Sequence, residues 1–187
     1  YQTYGATPDG VQDNWGDAPG AFADGAAAMI VHTSGSMRSI LNNAEFTVGV
    51  SGLPGKDGGS FTVTGGGNLY LVAGIDEATA AAAWDFVQWL TSPEQTVDWS
   101  IRTGYYNTRD SGFELDAWKE YAAANPQADE ARAMLGSAVR EFSVQSLGDV
   151  RTILHTEILA VLNGEKDPAT AMAAAQTAAD EVLAIFK

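Results

Sequence analysis

The 187-residue sequence carries 24 acidic and 10 basic side chains, giving a formal net charge of −14, and it contains no cysteine. Such an acidic surface repels nucleic acid and anionic lipid, and the lack of cysteine excludes disulfides, thiolate zinc sites and cysteine nucleophiles. Hydrophobic residues make up 45 % and charged residues 18 %, which is typical of a globular chain rather than a disordered one.

The first part of the chain predicts short elements joined by glycine-rich loops. Residues 1–20 are rich in Gly, Asp and Pro and are read as a loop. The pattern then predicts a short helix over Ala18–Ala23, a buried strand over Ala26–Val31 and a helix over Ser36–Asn42. Alternating apolar residues in FTVGVSGLPG predict a strand that stops at Leu53–Gly55, and FTVTGGGNLYLVAG predicts two strand-like pieces around its triple glycine.

From Asp76 onward the sequence predicts helices. Asp76 opens an alanine-rich helix that continues to Leu90. The segment Ser92–Gln95 starts the next helix, because serine caps, proline fits the first turn and Gln95 holds the capping-box position; Gly104 ends it. Further helices are predicted over Leu115–Ala124, Asp129–Val139, Leu147–Leu162 and Pro168–Phe186. Three or four strands followed by so many helices close no obvious sheet, so we expect an α/β or α+β piece of a larger protein.

The sequence shows no recognisable targeting signal. The longest apolar runs are shorter than the roughly 20 residues that a membrane helix needs. The N-terminal residues lack the basic, apolar and small-residue layout of a signal peptide. On these grounds we expect the chain either to be cytoplasmic or to lack its own start.

Seven motifs occur in a fixed order: FADGAAAMIVHTSGSM, VGVSGLPG, GGGNLYLVAG, AAWDFVQWLTSPEQTVDW, TGYYNTR, VRTILHTEILAVLNGEKDPATAM and the final alanine-rich helix. From about Phe22 onward they resemble bacterial extracellular solute-binding proteins of ABC importers (family 1), with the glycerol-3-phosphate-binding type as the nearest likeness. The resemblance implies a two-lobe α/β fold of the periplasmic-binding-protein kind (type II), of which this chain is the C-terminal half. Residues 1–54 and 106–187 would then belong to the C-terminal lobe, residues 61–104 would cross into the N-terminal lobe, and the family's N-terminal segment would be missing.

The resemblance places ligand contacts at Thr33, with Ser34 sharing its role, and at Gly66. Thr33 matches a family serine and keeps its hydroxyl, and a small polar turn before a helix can offer backbone N–H groups to an anion. An ordinary helix cap is the alternative for this turn. Gly66 matches a family glycine where the backbone approaches the ligand closely, and a flexible turn or bulge is its alternative.

Two larger side chains complete the site that the resemblance implies. Tyr105 matches a family tyrosine whose phenol hydrogen-bonds the ligand, although packing is the usual role of such a residue. Asn107 stands where the family has proline, so we expect a looser hinge here. Arg151 matches the family arginine that binds phosphate. Arginine suits this role because a guanidinium binds two phosphate oxygens at once. An ion pair with Asp149 or Glu157 is the alternative for Arg151.

The resemblance implies a protein that captures glycerol-3-phosphate or a glycerophosphodiester between two lobes, closes by hinge motion and delivers the solute to the membrane subunits of an ABC transporter. A sugar- or polyol-binding protein of the same family is the alternative, although Ser146–Gly148 stand where maltose-type relatives carry aromatic residues. An enzyme is disfavoured because GxSxG, HExxH and P-loop motifs are absent. We expect a monomer without cofactor, metal or nucleic acid, located in the periplasm or outside the cell, with or without a lipid anchor.

Overall fold

The computed structural model describes residues 14–56, 58, 60–141 and 143–186. The chain divides into two compact units, one comprising residues 16–140 and the other built mainly from residue 141 onward. Within the described ranges, none of the helices has the length and apolar character needed to cross a membrane.

The unit of residues 16–140 contains six helices and three short strands among its described residues. The helices are α1 (Ala18–Ala23), α2 (Met37–Asn43), α3 (Glu77–Leu90), α4 (Pro93–Thr103), α5 (Asp116–Ala124) and α6 (Pro126–Ala133). The strands are β1 (Leu53–Pro54), β2 (Ser60–Thr64) and β3 (Ala138–Arg140), and 3-10 turns cover Ser34–Ser36, Asp110–Glu114 and Met134–Ser137. The strands form a sheet in the order β1-β2-β3, in which β1 pairs antiparallel with β2 and β3 pairs parallel with β2.

The helix ends follow the signals in the sequence. Asp76 caps α3, its carboxylate accepting the N–H of Thr79 at 3.0 Å. Ser92 caps α4, its hydroxyl accepting the N–H of Gln95 at 3.4 Å. Gly104 ends α4 with φ +96°, a left-handed conformation that favours glycine. The predicted boundaries of α3 and α4 are therefore confirmed.

The core of this unit lies where α2, α4, α5 and α6 meet. The cluster consists of Met37, Val97, Phe113, Trp118, Tyr121, Ala122, Ala128 and Ala131. The rings of Phe113 and Trp118 meet edge to face with centroids 5.1 Å apart, a favourable geometry for aromatic pairs. This core lies beneath the segment that follows α4, and so it supports the candidate site described below.

The second unit is a helical hairpin of α7 (Leu147–Leu162) and α8 (Pro168–Leu183), followed by a 3-10 turn over Ala184–Phe186. Asp167 caps α8 by accepting the N–H groups of Ala169 and Thr170, each at 3.0 Å. Buried alanines on both helices allow close packing: Ala160, Ala171 and Ala175. The predicted bounds of α7 are confirmed, whereas α8 ends at Leu183 rather than Phe186.

Several predicted strands do not form. The segments Ala26–Val31, 46–52 and 68–74 carry no strand pairing in the structure. The prediction of a buried strand over Ala26–Val31 is wrong, since Met29 is 86 % and Val31 73 % exposed. A strand requires a hydrogen-bonded neighbour, and within the described ranges no other strand pairs with these segments.

The helix predicted over Asp129–Val139 is also corrected. It starts earlier, at Pro126, because proline fits the first helical turn. It ends at Ala133, and the chain then unwinds so that Val139 pairs with Val63 in the parallel ladder. The β-branched side chain of Val139 suits this pairing, which a helical pattern alone did not reveal.

Candidate functional site

The chain segment that leaves α4 packs directly against the turn before α2. Gly104 is buried, and a Cβ built on it would lie 2.9 Å from Met37 Cβ and 3.2 Å from the nitrogen of Arg38, and would overlap the carbonyl oxygen of Ser34. Only glycine tolerates both this backbone conformation and this close approach. The close contact brings Tyr105 beside the Thr33–Ser36 turn.

The phenol ring of Tyr105 lies over Gly35. A Cβ built on Gly35 would overlap the ring at Cζ, Cε1 and Cε2, so the absence of a side chain there makes room for the tyrosine. The Tyr105 side chain is 44 % exposed, and its backbone N–H donates to the hydroxyl of Thr103 at 3.1 Å. The structure thus brings together Tyr105 and the turn that contains Thr33 and Ser34, about seventy residues apart in sequence.

The backbone amides of this turn are used locally. The N–H of Gly35 donates to the hydroxyl of Thr33 at 3.3 Å, and the N–H of Ser36 donates to the carbonyl oxygen of Thr33 at 3.1 Å. Met37 donates its N–H to the carbonyl oxygen of Ser34. Thr33 is therefore a cap, which was the alternative considered for it. Its hydroxyl still keeps a hydrogen to donate, since a hydroxyl both accepts and donates.

Asn107 does not loosen the segment after Tyr105, contrary to expectation. Its side chain is buried, 5 % exposed. Its amide nitrogen donates to the carbonyl oxygen of Arg109 at 2.8 Å, and its amide oxygen accepts the N–H of the same residue at 3.1 Å. The hydroxyl of Thr96 lies 2.6 Å from that amide oxygen. Because the Asn107 amide bonds both the carbonyl oxygen and the N–H of Arg109, it restrains the backbone of this turn, where a looser hinge was expected.

Tyr106 and Arg109 attach the same segment to other helices. The Tyr106 hydroxyl donates to the carbonyl oxygen of Ala131 at 2.9 Å, and burial raises the pKa of this phenol above its usual value. The Arg109 guanidinium donates to the carbonyl oxygen of Thr91 at 2.8 Å. The chain after Tyr105 is therefore tied to α6 and to the end of α3.

Gly66 lies in the exposed loop between β2 and α3. Its φ is +156°, and a Cβ built there would meet no described atom within 4 Å. The backbone conformation gives a reason for glycine at this position that does not involve a ligand. A Cβ built on Gly66 would therefore approach neither Tyr105 nor Thr33 within 4 Å.

Arg151 belongs to the other unit, in the second turn of α7. Its guanidinium forms an ion pair with the carboxylate of Glu141, and the two side chains are 59 % and 42 % exposed. The alternative prediction, that Arg151 forms an ion pair, is confirmed. The predicted partners Asp149 and Glu157 are wrong, since the partner is Glu141. Glu157 instead pairs with Lys166 at 2.7 Å.

Other features of the described chain were not found from the sequence. A cleft of about 370 Å³ is lined by Phe113, Glu114, Trp118, Lys119, Ala122, Ala123, Asp129 and Arg132. The guanidinium carbon of Arg132 lies 3.9 Å from the centroid of the Phe113 ring. No group of three His, Asp or Glu side chains among the described residues could hold a metal ion. The Asn-Thr-Arg run after Tyr106 was the one signal for the Asn107 contacts, since asparagine often bonds the backbone two residues on.

Comparisons with known proteins agree with the predicted family. The family model described as bacterial extracellular solute-binding protein matches residues 1–126. The sn-glycerol-3-phosphate-binding periplasmic protein UgpB of Pectobacterium atrosepticum is 30 % identical over 175 residues, covering 89 % of this chain and 39 % of the relative. UgpB of Escherichia coli strain K12 is 29 % identical over 175 residues, with 89 % and 40 % covered.

A solved structure extends the likeness to the fold. The crystal structure of UgpB from Mycobacterium tuberculosis in complex with glycerophosphocholine matches with a TM-score of 0.76 and 27 % identity, over 89 % of this chain and 44 % of that one. The predicted α/β solute-binding fold is confirmed, and the chain spans about two fifths of the length of these relatives. This chain belongs to the family of bacterial extracellular solute-binding proteins.

Proposed function

We propose that this chain is part of the substrate-binding component of an ABC import system, and that it captures glycerol-3-phosphate or a glycerophosphodiester. The observation that supports this proposal most directly is the contact of the Tyr105 ring with Gly35, in the turn that also contains Thr33 and Ser34. The names of the relatives support the solute class, since they describe a glycerol-3-phosphate-binding protein and a complex with glycerophosphocholine.

In this proposal the phenol of Tyr105 and the hydroxyls of Thr33 and Ser34 bind neutral oxygens of the solute. For Arg151, in the other unit, the resemblance implies phosphate binding. A guanidinium donates two parallel hydrogen bonds to phosphate oxygens, which a lysine does not. In the structure the Arg151 guanidinium is paired with the Glu141 carboxylate. A bound phosphate would take the place of that carboxylate. Breaking the Arg151–Glu141 pair costs little free energy, because ion pairs between exposed side chains contribute at most about 1 kcal/mol.

The overall charge of −14 opposes an anionic solute only at long range. Salt screens exposed charges beyond about 8 Å at physiological ionic strength. A guanidinium in contact with the phosphate therefore outweighs the distant carboxylates.

We also propose the lobe assignment that the resemblance implies, with residues 1–54 and 106–187 in one lobe and residues 61–104 in the other, although α4 shares its core with α2, α5 and α6. Apolar side chains that are more than half exposed support a further protein surface packed against this chain, because isolated soluble chains rarely show so many. Nine of them lie on α3 and α4 and in the unpaired segments: Met29, Val31, Leu69, Tyr70, Val72, Trp84, Phe86, Trp89 and Trp99. The additional length of the relatives would cover these side chains.

The remaining parts of the proposal follow the family. The chain would act as a monomer without enzymatic activity, outside the cytoplasm, and would dock on the membrane subunits of its transporter. The relatives are named as periplasmic proteins. A sugar or polyol is the second candidate solute, because the partly exposed ring of Tyr105 could stack on a sugar face.

Titration calorimetry tests the solute and the arginine together, with glycerol-3-phosphate, glycerophosphocholine and maltose. Arg151→Ala should weaken binding of the phosphate esters about tenfold or more. Glu141→Gln should leave binding unchanged or tighter, because it removes the competing carboxylate. Arg102→Ala is the matched control, since Arg102 is also an exposed helical arginine paired with a carboxylate, that of Asp98. Binding of maltose alone, or phosphate-ester binding that Arg151→Ala leaves unchanged, would overturn the proposal.

A further inference from the structure

The segment between α4 and the 3-10 turn at Asp110 is held on both sides of Tyr105. Before it, Gly104 packs against the backbone of Ser34 and Arg38. After it, Tyr106 donates a hydrogen bond to Ala131, and Asn107 is buried. Tyr105 is therefore the one aromatic side chain of residues 104–109 that contacts the Thr33–Ser36 turn and remains partly exposed.

The contacts of Asn107 are specific to an amide. The side chain donates to the carbonyl of Arg109 and accepts its N–H, while the hydroxyl of Thr96 lies against the same amide oxygen. Aspartate has no hydrogen to donate when ionised, and alanine offers neither group. Gly112 packs closely against this amide and against Val97. A Cβ built on Gly112 would lie 2.8 Å from Asn107 Cγ and 2.9 Å from Val97 Cγ2, so there is no space for a side chain between them.

We propose that Asn107 is a positioning residue, which fixes the backbone after Tyr105 so that the phenol ring rests on Gly35 before any solute arrives. A ring that is already in place loses little conformational freedom on binding, and this favours affinity. The effect on solute binding rests on the proposed function, in which Tyr105 contacts the solute. The effect on the ring position does not.

The ring position can be measured without a solute. An aromatic ring that lies over Gly35 shifts the NMR resonances of the Gly35 protons, and Tyr105→Leu defines the size of this shift by removing it. Asn107→Ala should abolish most of the shift, and Thr96→Val, which removes one of the three contacts, should reduce it. Thr108→Ala is the matched control, because Thr108 is the exposed neighbour of Asn107, and it should leave the shift unchanged.

A full Gly35 shift in folded Asn107→Ala protein would overturn the proposal. If Asn107→Ala does not fold, the Thr96→Val variant provides the test. An unchanged Gly35 shift in Thr96→Val would also overturn the proposal. Resonances of the buried core, such as those of Val97, report whether each variant is folded.

A binding measurement then separates positioning from general destabilisation. With glycerophosphocholine as the titrant, Asn107→Ala should weaken binding about tenfold in the presence of Tyr105 and hardly at all in the Tyr105→Leu background, as a double-mutant cycle requires for coupled residues. Equal weakening in both backgrounds would mean that Asn107 acts by another route and would overturn the proposal. If the unmutated protein binds no phosphate ester, the proposed function fails, and the Gly35 shift still decides the role of Asn107.

Discussion

Replacing Gly104 by alanine should destabilise the unit of residues 16–140 by about 2–5 kcal/mol, through two separable effects. The φ of +96° lies in the left-handed region, where a residue with a side chain is less stable by about 1–2 kcal/mol. The added Cβ would also overlap the carbonyl oxygen of Ser34 and crowd Met37. Relieving such a clash in a packed region costs about a further 1–3 kcal/mol.

Gly25→Ala is the control that isolates the first effect. Gly25 has φ +78° and belongs to the same unit, but a Cβ built there meets nothing within 4 Å. It should therefore lose only the conformational part, about 1–2 kcal/mol. Urea-induced unfolding, followed by the fluorescence change as the buried Trp118 becomes exposed, gives both values from the transition midpoints. Equal losses in the two variants would refute the close approach of Gly104 to the Thr33–Ser36 turn.

Three further predictions concern single groups. Ser100→Ala should leave stability unchanged or raise it by about 1 kcal/mol in thermal unfolding, because this 1 % exposed hydroxyl has no hydrogen-bond partner among the described residues; a clear loss would reveal a missed partner. The Thr170 hydroxyl, followed by its backbone N–H, lowers the pKa of Asp167 below its ordinary 3.8, so this cap contributes stability above that value and loses it as the pH falls through the lowered pKa. The protection of the first-turn amides of α8, taken relative to the intrinsic exchange rate at each pH, should fall on acidification. Asp167→Asn should remove that dependence, and an unaltered protection profile would contradict the role of the cap. Burial raises the pKa of Tyr106 above 10.0, so its contribution is present below that pH and is lost as the pH rises through the raised pKa. Tyr106→Phe should abolish this alkaline loss while removing about 0.5–1.5 kcal/mol at neutral pH with the bond to Ala131, and alkaline unfolding that is identical in both proteins would argue against it.

The sequence predicted best where the determining contact is local. Asp76 and Ser92 cap helices through bonds to residues three positions on, and Gly104 ends α4 through its own backbone conformation. These signals need no knowledge of the rest of the molecule. The boundaries of α3 and α4 were predictable for this reason.

The elements that were predicted wrongly depend on contacts between residues distant in sequence. The segment Ala26–Val31 has the composition of a strand, but pairing depends on a neighbour that composition does not specify. Val139 was assigned to a helix because its parallel partner Val63 is distant in sequence. The number of strands in the described chain was overestimated for the same reason.

The candidate site divides in the same way. The approach of Tyr105 to Gly35 could be expected only from the resemblance, because no local pattern links residues seventy positions apart. The pairing of Arg151 with Glu141 depends on how the preceding loop lies against α7, and not on the helical spacing that suggested Asp149 or Glu157. Asn107 was misjudged because its contacts to Thr96 and Gly112 replace the rigidity of a proline ring.

The parallel pairing of β2 with β3 has a consequence for the order in which the chain can fold. The side-chain hydroxyl of Thr64 donates to the carbonyl oxygen of Val139 at 3.3 Å, and these two residues are 75 positions apart. At synthesis rates of about 5–20 residues per second, β2 emerges from the ribosome roughly 4–15 seconds before its partner. Helices α3 to α6 lie within that interval and can form from local contacts, whereas the β2–β3 ladder must wait until the loop is closed. The strand edge of β2 is thus exposed to a chaperone or to aggregation for seconds, a period that chain release or export in the unfolded state would lengthen.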